Sequence, residues 1–281
     1  MSAAGHPANP AGGAAGGADP PAAAPRADGT PPLTADLPAG SGLRGPSPRC
    51  VALLSGGKDS VAAIEVAQQQ GLHVVGALVL RPREDDAWMF HTPNLDAAAA
   101  VAACLGLAAE QHDVRAGQQQ EVEDLQAALG EAARRFDADS LLSGALASEY
   151  QRVRIEAVAH RLGLRSFMPL WHKQPSAYVS SLAGAYDVRF SRTAAEGVPN
   201  AWAGERLTQE RIGAMLRHPA RPHVAGEGGE YETLVLDAPH YRHRLVVERA
   251  HVEATASRAT WVVDAWRIRP KQASASHGAP P

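Results

Sequence analysis

The sequence predicts an α/β protein with a Rossmann-like parallel-sheet domain followed by a smaller C-terminal α+β domain. Three observations predict it. Short apolar runs alternate with helical patterns from residue 49 to about 174, a glycine turn joins the first strand to the first helix, and the alternation stops near Pro175. Strands that alternate with helices form a parallel sheet with right-handed crossovers, and such sheets bind ligands at the carboxyl ends of their strands.

The first domain is predicted over residues 49–174. The run His73–Leu80 is apolar throughout, as expected of a strand covered on both faces. The predicted strands are Arg49–Leu54, His73–Leu80, Ser140–Gly144 and Phe167–Trp171. The predicted helices are Lys58–Gln70, Leu95–Leu105, about Gln118–Phe136, and Ser148–Leu162. Gly106 and Gly163 follow two of these helices, in the position where glycine commonly ends a helix.

The second domain is predicted over residues 175–270. Its helices are expected from Pro175 to Gly184 and near Leu207–Leu216. Its strands are expected at Val188–Ser191, Tyr231–Leu236, Arg244–Glu248 and Trp261–Arg267.

Both ends of the chain are predicted to be disordered tails. Residues 1–48 contain no Val, Ile, Phe, Tyr or Trp and are mostly Ala, Gly and Pro, and residues 271–281 form a loose end. Such segments cannot bury enough apolar surface to offset the entropy lost on ordering. No secretory signal or membrane span is expected. The two cysteines, Cys50 and Cys104, form no disulfide framework or metal pair, so a cytoplasmic location is expected.

The segment Leu54–Ser60, here called the phosphate loop, joins the first strand to the first helix. Gly56 and Gly57 let the backbone turn without a Cβ clash, so that successive N–H groups can face one anion. The amino terminus of the following helix adds its positive end. The segment therefore predicts a phosphate site.

The side chains of the phosphate loop fit that interpretation. Lys58 would neutralise phosphate oxygens, Ser55 and Ser60 would donate hydrogen bonds, and Asp59 would hold Mg²⁺ directly or through water. The loop is not that of the P-loop triphosphatases, because Asp59 follows Lys58 where Ser or Thr is required, and position 53 is Leu. The third glycine of the dinucleotide fingerprint is also missing.

The string Ser-Gly-Gly-Lys-Asp-Ser at 55–60 resembles the Ser-Gly-Gly-x-Asp-Ser motif of the PP-loop ATP pyrophosphatases. That resemblance implies binding of the β- and γ-phosphates of ATP and cleavage between the α- and β-phosphates. Further segments, from about Cys50 to Pro239, are similar to the diphthine–ammonia ligase family. They are Met-Phe-His-Thr-Pro-Asn at 89–94, Gly-Ala-Leu-Ala-Ser-Glu-Tyr-Gln-Arg-Val-Arg at 144–154, Pro-Leu-Trp at 169–171, and Ala-Gly-Glu-Gly-Gly-Glu-Tyr-Glu-Thr at 225–233.

The family resemblance implies a reaction. ATP would activate the carboxyl group of diphthine, a modified histidine of elongation factor 2, and ammonium would displace AMP to give diphthamide. Residues 49–174 would then be the ATP-binding domain and 175–270 the substrate-binding domain. The implied partners are ATP and ammonium, with elongation factor 2 as protein substrate in an archaeal or eukaryotic source. The oligomeric state is open, with a homodimer as one alternative.

Candidate site residues follow from these motifs. Catalytic roles are assigned to Lys58, Asp59 and Arg152, and Mg²⁺ is assigned to Asp59. The ATP site is assigned to Ser55, Gly56, Gly57, Lys58, Asp59, Ser60, Leu80 and Gly144. The acyl-substrate site is assigned to His91, Asn94, Glu149, Tyr150, Glu227 and Glu230. An adenylate leaving group needs cations, which favours Arg152, but pairing of this arginine with Glu149 and Glu156 along its helix is the alternative.

Three carboxylates lie within six residues in the segment 225–233, here called the acidic loop. Glu227 and Glu230 are flanked by glycines, and we expect them to bind the trimethylammonium group that the resemblance implies for diphthine. Glu232 alternates with Tyr231 in a predicted strand, so we expect it to be solvated. The aromatic rings that would complete a cage are Tyr231, Trp171 and Trp202.

Other functions remain open at this point. With 27 basic and 30 acidic residues the net charge is −3, so no nucleic acid partner is expected. A sulfur-transferring tRNA enzyme would share the phosphate loop but needs reactive cysteines, whereas Cys50 and Cys104 are interpreted as small apolar residues. A non-catalytic nucleotide sensor would also keep the loop. A bacterial source would imply a different carboxylate or amine.

Overall fold

The computed structural model describes residues 47–82 and 94–271. The first domain contains strands β1 (Arg49–Leu53), β2 (His73–Pro82), β3 (Ala109–Val114), β4 (Ser140–Leu142) and β5 (Arg165–Phe167). Its helices are α1 (Lys58–Gln69), α2 (Leu95–Leu105), α3 (Gln118–Arg135) and α4 (Glu149–Arg161). The strands form one parallel sheet in the order β3-β2-β1-β4-β5. The predicted α/β class with a parallel sheet is confirmed.

The second domain is built on an antiparallel sheet. It contains helices α5 (Pro175–Ala185) and α6 (Gln209–Arg217), a short 3-10 helix (Asn200–Trp202), and strands β6 (Asp187–Thr193), β7 (Tyr231–Asp237), β8 (His243–Ala254) and β9 (Ala259–Pro270). The sheet order is β7-β6-β9-β8. The smaller C-terminal α+β domain is therefore confirmed as a fold class.

Strand β3 is absent from the sequence prediction. Its sequence is Ala-Glu-Gln-His-Asp-Val, and only Glu110 and Val114 are buried. A polar strand at the edge of the sheet carries no apolar run, so the usual signal for a parallel strand is missing. The strand predicted at Phe167–Trp171 also differs from the structure, because pairing with β4 ends at Phe167 and the Trp171 N–H then donates to the Met168 carbonyl in a turn.

Strands β8 and β9 are longer than predicted. They pair from His243 with Pro270 to Ala254 with Ala259. The distal part of β8 is exposed on both faces and rich in charge, so the apolar pattern used for the prediction covered only its inner part.

One of the two apolar clusters formed by the described residues joins the two domains near the phosphate loop. Buried residues of α1, such as Ile64, belong to the same cluster as Leu182 of α5, Phe190 of β6 and Leu234 of β7. In the described part of the chain no helix is long and apolar enough to cross a bilayer. The predicted terminal tails lie outside the described residues except for 47, 48 and 271, and the Pro48 carbonyl accepts the His73 N–H.

Both cysteines are buried. Cys50 lies in β1 and Cys104 in α2, and burial raises the pKa of each thiol to about 12. Thiols held in the neutral form are poor nucleophiles, which agrees with their interpretation as small apolar residues.

Candidate active site

A cavity of about 240 Å³ lies at the carboxyl ends of β1, β2 and β4, between the phosphate loop and the acidic loop. Both domains therefore contribute to it. From the first domain it is lined by Leu53, Leu54, Ser55, Gly57, Lys58, Asp59, Ser60, Leu78, Leu80, Leu95, Ser143, Gly144, Ala145, Gln151 and Ile155. From the second it is lined by Gly226, Glu227, Tyr231, Glu232 and Thr233.

The phosphate loop has the geometry of an anion cradle. Gly56 has a φ of +79°, which favours glycine, and Gly57 is the N-cap of α1 with no side chain to cap the helix. The loop is fixed internally because the Ser55 and Ser60 hydroxyl oxygens lie 3.2 Å apart and the Gly57 N–H donates to the Ser55 hydroxyl at 3.3 Å. A helix amino terminus whose N-cap residue has no side chain, placed behind a glycine turn, suits phosphate.

Gly144 lets the strand-end segment after β4 approach the phosphate loop. A Cβ atom at this position would lie 2.6 Å from the carbonyl carbon of Asp59 and 2.7 Å from the nitrogen of Ser60. Both are backbone atoms, so neither can turn away as a flexible side chain would. Only glycine therefore fits at position 144 while α1 keeps its place.

The second domain supports the phosphate loop directly. The Lys58 N–H donates to the Thr233 hydroxyl at 3.0 Å, and the Val235 N–H donates to the Gly56 carbonyl at 2.9 Å. A Cβ atom at Gly57 would lie 3.2 Å from the Thr233 carbonyl oxygen. Strand β7 thus packs closely against the loop and hydrogen-bonds to it at two points.

The Lys58 ammonium is buried in the cleft, with a 3% exposed residue surface. It donates to Asp59 Oδ2 at 2.8 Å and to the Ala225 carbonyl at 2.6 Å, and it lies 5.1 Å from the ring centroid of Tyr231. Burial lowers the pKa of Lys58, but the neighbouring charge of Asp59 and the more distant charge of Glu227 help raise it above its ordinary value. Lys58 is therefore a permanent cation at the phosphate loop.

Asp59 accepts hydrogen bonds from both domains. Its Oδ2 faces Lys58, and its Oδ1 accepts the Tyr178 hydroxyl at 2.7 Å. Burial, followed by the charge of Asp59, holds the pKa of Tyr178 well above its ordinary value, so the hydroxyl stays a donor. The described residues contain no group of three or more His, Cys, Asp or Glu side chains that could hold a metal ion. A cation at Asp59 would therefore need oxygens from elsewhere, such as nucleotide phosphates.

The acidic loop separates its three carboxylates. Glu227 lines the cleft and its Oε2 accepts the Ala147 N–H at 3.1 Å. Burial and the charge of Asp59 raise the pKa of Glu227. Both oxygens of Glu230 accept backbone N–H groups, from His223 at 3.1 Å and from Gly228 at 2.8 Å. Glu227 thus links the two domains by a hydrogen bond, whereas Glu230 holds the backbone of residues near it in the chain.

The expectation that Glu232 is solvated is wrong. Its side chain is 19% exposed, lines the cleft, and pairs with Arg192 across the β6–β7 ladder at 3.4 Å. The pleat turns Glu232 to the face opposite Tyr231, where Arg192 of β6 covers it, so an alternating strand pattern did not imply solvent.

The residues after β4 do not all reach the cavity. Arg152 donates to Glu149 at 2.7 Å and to Glu156 at 2.7 Å, and its guanidinium lies 5.2 Å from the Trp171 ring centroid. These are the helix-face pairs that formed the alternative to a catalytic role. Glu149 is exposed, and Tyr150 stacks under the guanidinium of Arg154 at 3.4 Å. A phosphate role for Arg152 stays a prediction that requires these contacts to open.

Two predicted substrate residues precede α2. Asn94 donates to the Trp261 carbonyl at 2.8 Å and accepts the Val263 N–H at 2.7 Å, so its amide joins the start of α2 to strand β9. His91 lies outside the described residues. Leu80, predicted for the ATP site, is buried and lines the cleft.

The predicted aromatic cage does not form. Tyr231 lines the cleft, but Trp202 contacts Phe190 and lines a separate pocket, and the Trp171 ring lies against the guanidinium of Arg152. Phe190 contacts both Tyr231 and Trp202, with ring centroids 5.0 Å and 5.5 Å away. The rings are therefore parts of the packing between elements.

Comparison with known proteins places the chain. Residues 48–166 match the family model described as the diphthamide synthase N-terminal domain, and residues 174–269 match the diphthamide synthase C-terminal domain. The chain is 30% identical over 225 residues to the diphthine–ammonia ligase of Homo sapiens, an alignment that covers 73% of this chain and 84% of that one. It belongs to the diphthine–ammonia ligase family.

Further relatives carry the same name. The Danio rerio diphthine–ammonia ligase is 29% identical over 71% of this chain and 86% of its own length. A solved structure, titled a predicted subunit of tRNA methyltransferase from Methanocaldococcus jannaschii, covers 69% of this chain and 97% of its own at 12% identity, and its TM-score of 0.36 adds nothing to the assignment. Family membership confirms the predicted carbon–nitrogen ligase class with its nucleotide-binding fold.

Several residues that line the cleft or contact the phosphate loop of this diphthine–ammonia ligase family member were not predicted. Tyr178, Thr233 and Glu232 come from the second domain and reach the phosphate loop or the cleft only through the packing of α5 and β7. Ser143 directly precedes the 144–154 segment, and Gln151 lies within it on α4. The position of Ser143 at a strand end was a usable signal, whereas Tyr178 on a helix carried none.

Proposed function

We propose that this chain is an ATP-dependent amide ligase that adenylates the carboxyl group of diphthine on elongation factor 2 and transfers ammonia to it, giving diphthamide, AMP and pyrophosphate. Family membership supports the reaction class. The observation that carries the proposal is the cleft itself, where a phosphate loop with a buried, permanently charged Lys58 faces an acidic loop. The positive charge of the phosphate loop is complementary to ATP, a polyanion. The negative charge of the acidic loop is complementary to diphthine, a carboxylic acid that carries a cationic group.

The phosphate loop would hold the β- and γ-phosphates of ATP. Backbone N–H groups at the amino terminus of α1 and the hydroxyls of Ser55 and Ser60 would donate to the phosphate oxygens. The Lys58 ammonium would stabilise the negative charge that develops on the departing pyrophosphate. To do so it would give up its 2.6 Å hydrogen bond to the Ala225 carbonyl. Leu80 and Ile155 supply apolar wall for the rest of the nucleotide.

Mg²⁺ fits this site through Asp59. Mg²⁺ usually binds one or two carboxylates and completes its shell with water and substrate phosphates. Each Asp59 oxygen accepts one hydrogen bond and keeps a further lone pair. The ion would supply positive charge at the phosphates, while Tyr178 and Lys58 orient the carboxylate that holds it.

The acyl substrate would enter beside Glu227. This carboxylate lies close enough to Asp59 and Lys58 to affect the titration of Lys58, and it is anchored on the Ala147 N–H. A quaternary ammonium offers no hydrogen-bond donor, so it is held by charge and by contact. Glu227 would therefore place the cationic group while the carboxylate of the substrate reaches the α-phosphate. A cytoplasmic location would follow from such a substrate.

The products test the proposed function. Incubation with ATP labelled at the α-phosphate, ammonium and elongation factor 2 carrying diphthine should give labelled AMP and one amide per AMP formed. The same factor lacking the diphthine modification is the control and should give no AMP above background. Label in ADP, or AMP formation that does not depend on diphthine, would overturn the proposal.

A further inference from the structure

Glu232 is a buried carboxylate in the cleft that the reaction described above does not use. It lies in β7 opposite Arg192 of β6, and the two side chains are 19% and 17% exposed. It lines the cavity together with Glu227 and Leu95. A carboxylate is seldom buried without complete pairing, because loss of water disfavours its charged form.

The pairing of Glu232 is incomplete. The contact with Arg192 joins one guanidinium nitrogen to Oε1 at 3.4 Å, which is longer than a typical charge-assisted hydrogen bond. Among the described residues, neither Glu232 Oε2 nor Arg192 Nε has a hydrogen-bond partner. Close bidentate pairing would have satisfied both atoms. The charge of this carboxylate is therefore under-compensated in the resting cleft.

The surroundings set the proton affinity of Glu232. Burial raises its pKa to about 7, against the opposing charges of Arg192 on β6 and Arg258 in the turn between β8 and β9. Near neutral pH the group is thus divided between the ionised and protonated forms. A group with this balance can both accept and release a proton during turnover.

We propose that Glu232 binds the ammonium ion in the cleft and takes its proton, so that neutral ammonia attacks the activated acyl group. This role rests on the proposed function, because it requires an acyl-adenylate in the same cleft. Ammonium has no lone pair and cannot attack a carbonyl carbon. An under-compensated carboxylate at the wall of the cavity supplies both the charge that attracts the cation and the site that receives its proton.

The step balances as follows. One N–H bond of ammonium breaks and its proton bonds to a Glu232 oxygen, leaving the lone pair on nitrogen. That pair forms the C–N bond, and the C–O bond to AMP breaks with its electrons on the AMP phosphate. The second surplus proton of the new amide leaves to water, and Glu232 returns its proton to water before the next turnover.

The test compares two nucleophiles in the Glu232→Gln variant. With ammonium at pH 7, amide formation should fall about a hundredfold or more, the usual contribution of a positioned base. With hydroxylamine, which is already neutral at pH 7, the variant should stay close to wild type, because no proton has to be removed before the nitrogen can attack. Exchange of labelled pyrophosphate into ATP should be unchanged and reports that the variant is folded and adenylates.

The pH profile adds a readout that a structural role would not move. The ammonium-dependent rate of wild type should rise as the pH passes through about 7, since the base works in its ionised form. Arg192 lowers the pKa of Glu232, so Arg192→Gln should move that rise to higher pH. The Glu232→Gln deficit should shrink at alkaline pH, where ammonia is neutral in solution.

Glu253→Gln is the matched control, because Glu253 is a 69% exposed glutamate on β8 and should leave both nucleophiles unaffected. Equal losses with ammonium and hydroxylamine, or a wild-type rate with ammonium, would overturn the role of Glu232. Absence of diphthine-dependent pyrophosphate exchange in wild type would instead overturn the proposed function, and the role of Glu232 with it.

Discussion

Asp59 shows how a single residue depends on a partner that is distant in sequence. The phosphate-loop string predicted its presence in the site, but not the Tyr178 hydroxyl that fixes one of its oxygens from 119 residues away. Short motifs carry backbone requirements, such as glycine at a turn, and so they can be read from sequence. The partners of motif side chains depend on packing between domains, which local patterns do not encode.

We expect Tyr178→Phe to weaken the use of Mg²⁺ with little change in fold. The ring stays in the core, but Asp59 loses a hydrogen bond of the charged type, which contributes about 1.5–3 kcal/mol. The Mg²⁺ concentration for half-maximal turnover should therefore rise roughly tenfold or more. Tyr241→Phe is the control, because that buried hydroxyl donates to a backbone carbonyl, Val235 O, at 3.3 Å and not to a carboxylate of the described residues. If the Mg²⁺ titration of Tyr178→Phe matches that of wild type, the proposed role of Tyr178 in orienting Asp59 is wrong.

At the scale of elements, apolar periodicity predicted the helices of the first domain to within two residues at each end. It failed where an element is polar. Strand β3 and the distal part of β8 are held by backbone hydrogen bonds to a neighbouring strand. These bonds do not require apolar side chains, so the hydropathy of the sequence does not reveal them. In the segment after β4 the informative residue is a glycine and not an apolar pattern. Gly144 is required there because it contacts the backbone of α1.

Gly144→Ala should abolish ATP binding, because its Cβ would meet the Asp59 and Ser60 backbone at 2.6–2.7 Å and push α1 from its place. Calorimetric titration with ATP measures this. The matched control is Gly163→Ala, at a φ of +71° with nothing within 4 Å of the added Cβ. That variant should lose about 1–2 kcal/mol of stability from left-handed strain and keep its ATP affinity. Wild-type affinity in Gly144→Ala would contradict the close approach.

At the scale of the whole molecule, the two sheets share an apolar cluster and contribute to the same cavity. Thr233 and Val235 bond the phosphate loop, and Lys58 is held by the Ala225 carbonyl. The sequence predicted two domains because the strand and helix rhythm changes near residue 175. The end of the strand–helix alternation marks the start of a second sheet. It gives no information about whether the apolar surfaces of the two sheets pack against each other.

A chain of residues 47–174 should therefore fail to bind ATP, since it lacks every second-domain partner of the phosphate loop and exposes the buried face of α1. A chain of residues 47–271 should bind ATP as the full chain does and melt at nearly the same temperature, because the removed ends are poor in apolar residues. Equilibrium binding and thermal melts of the three chains check this. ATP affinity in the short chain equal to that of the full chain would refute it.

The sequence distance between Lys58 and Thr233 also has a consequence for synthesis. The two residues that bond at the phosphate loop are 175 positions apart. At about 5–20 residues per second, the loop leaves the ribosome roughly 10–35 s before its support exists. Throughout that interval the phosphate loop of the nascent chain lacks the hydrogen bonds that hold it in the folded protein. We therefore expect a chain abandoned before its last quarter, which lacks Thr233 and Val235, to be inert toward ATP.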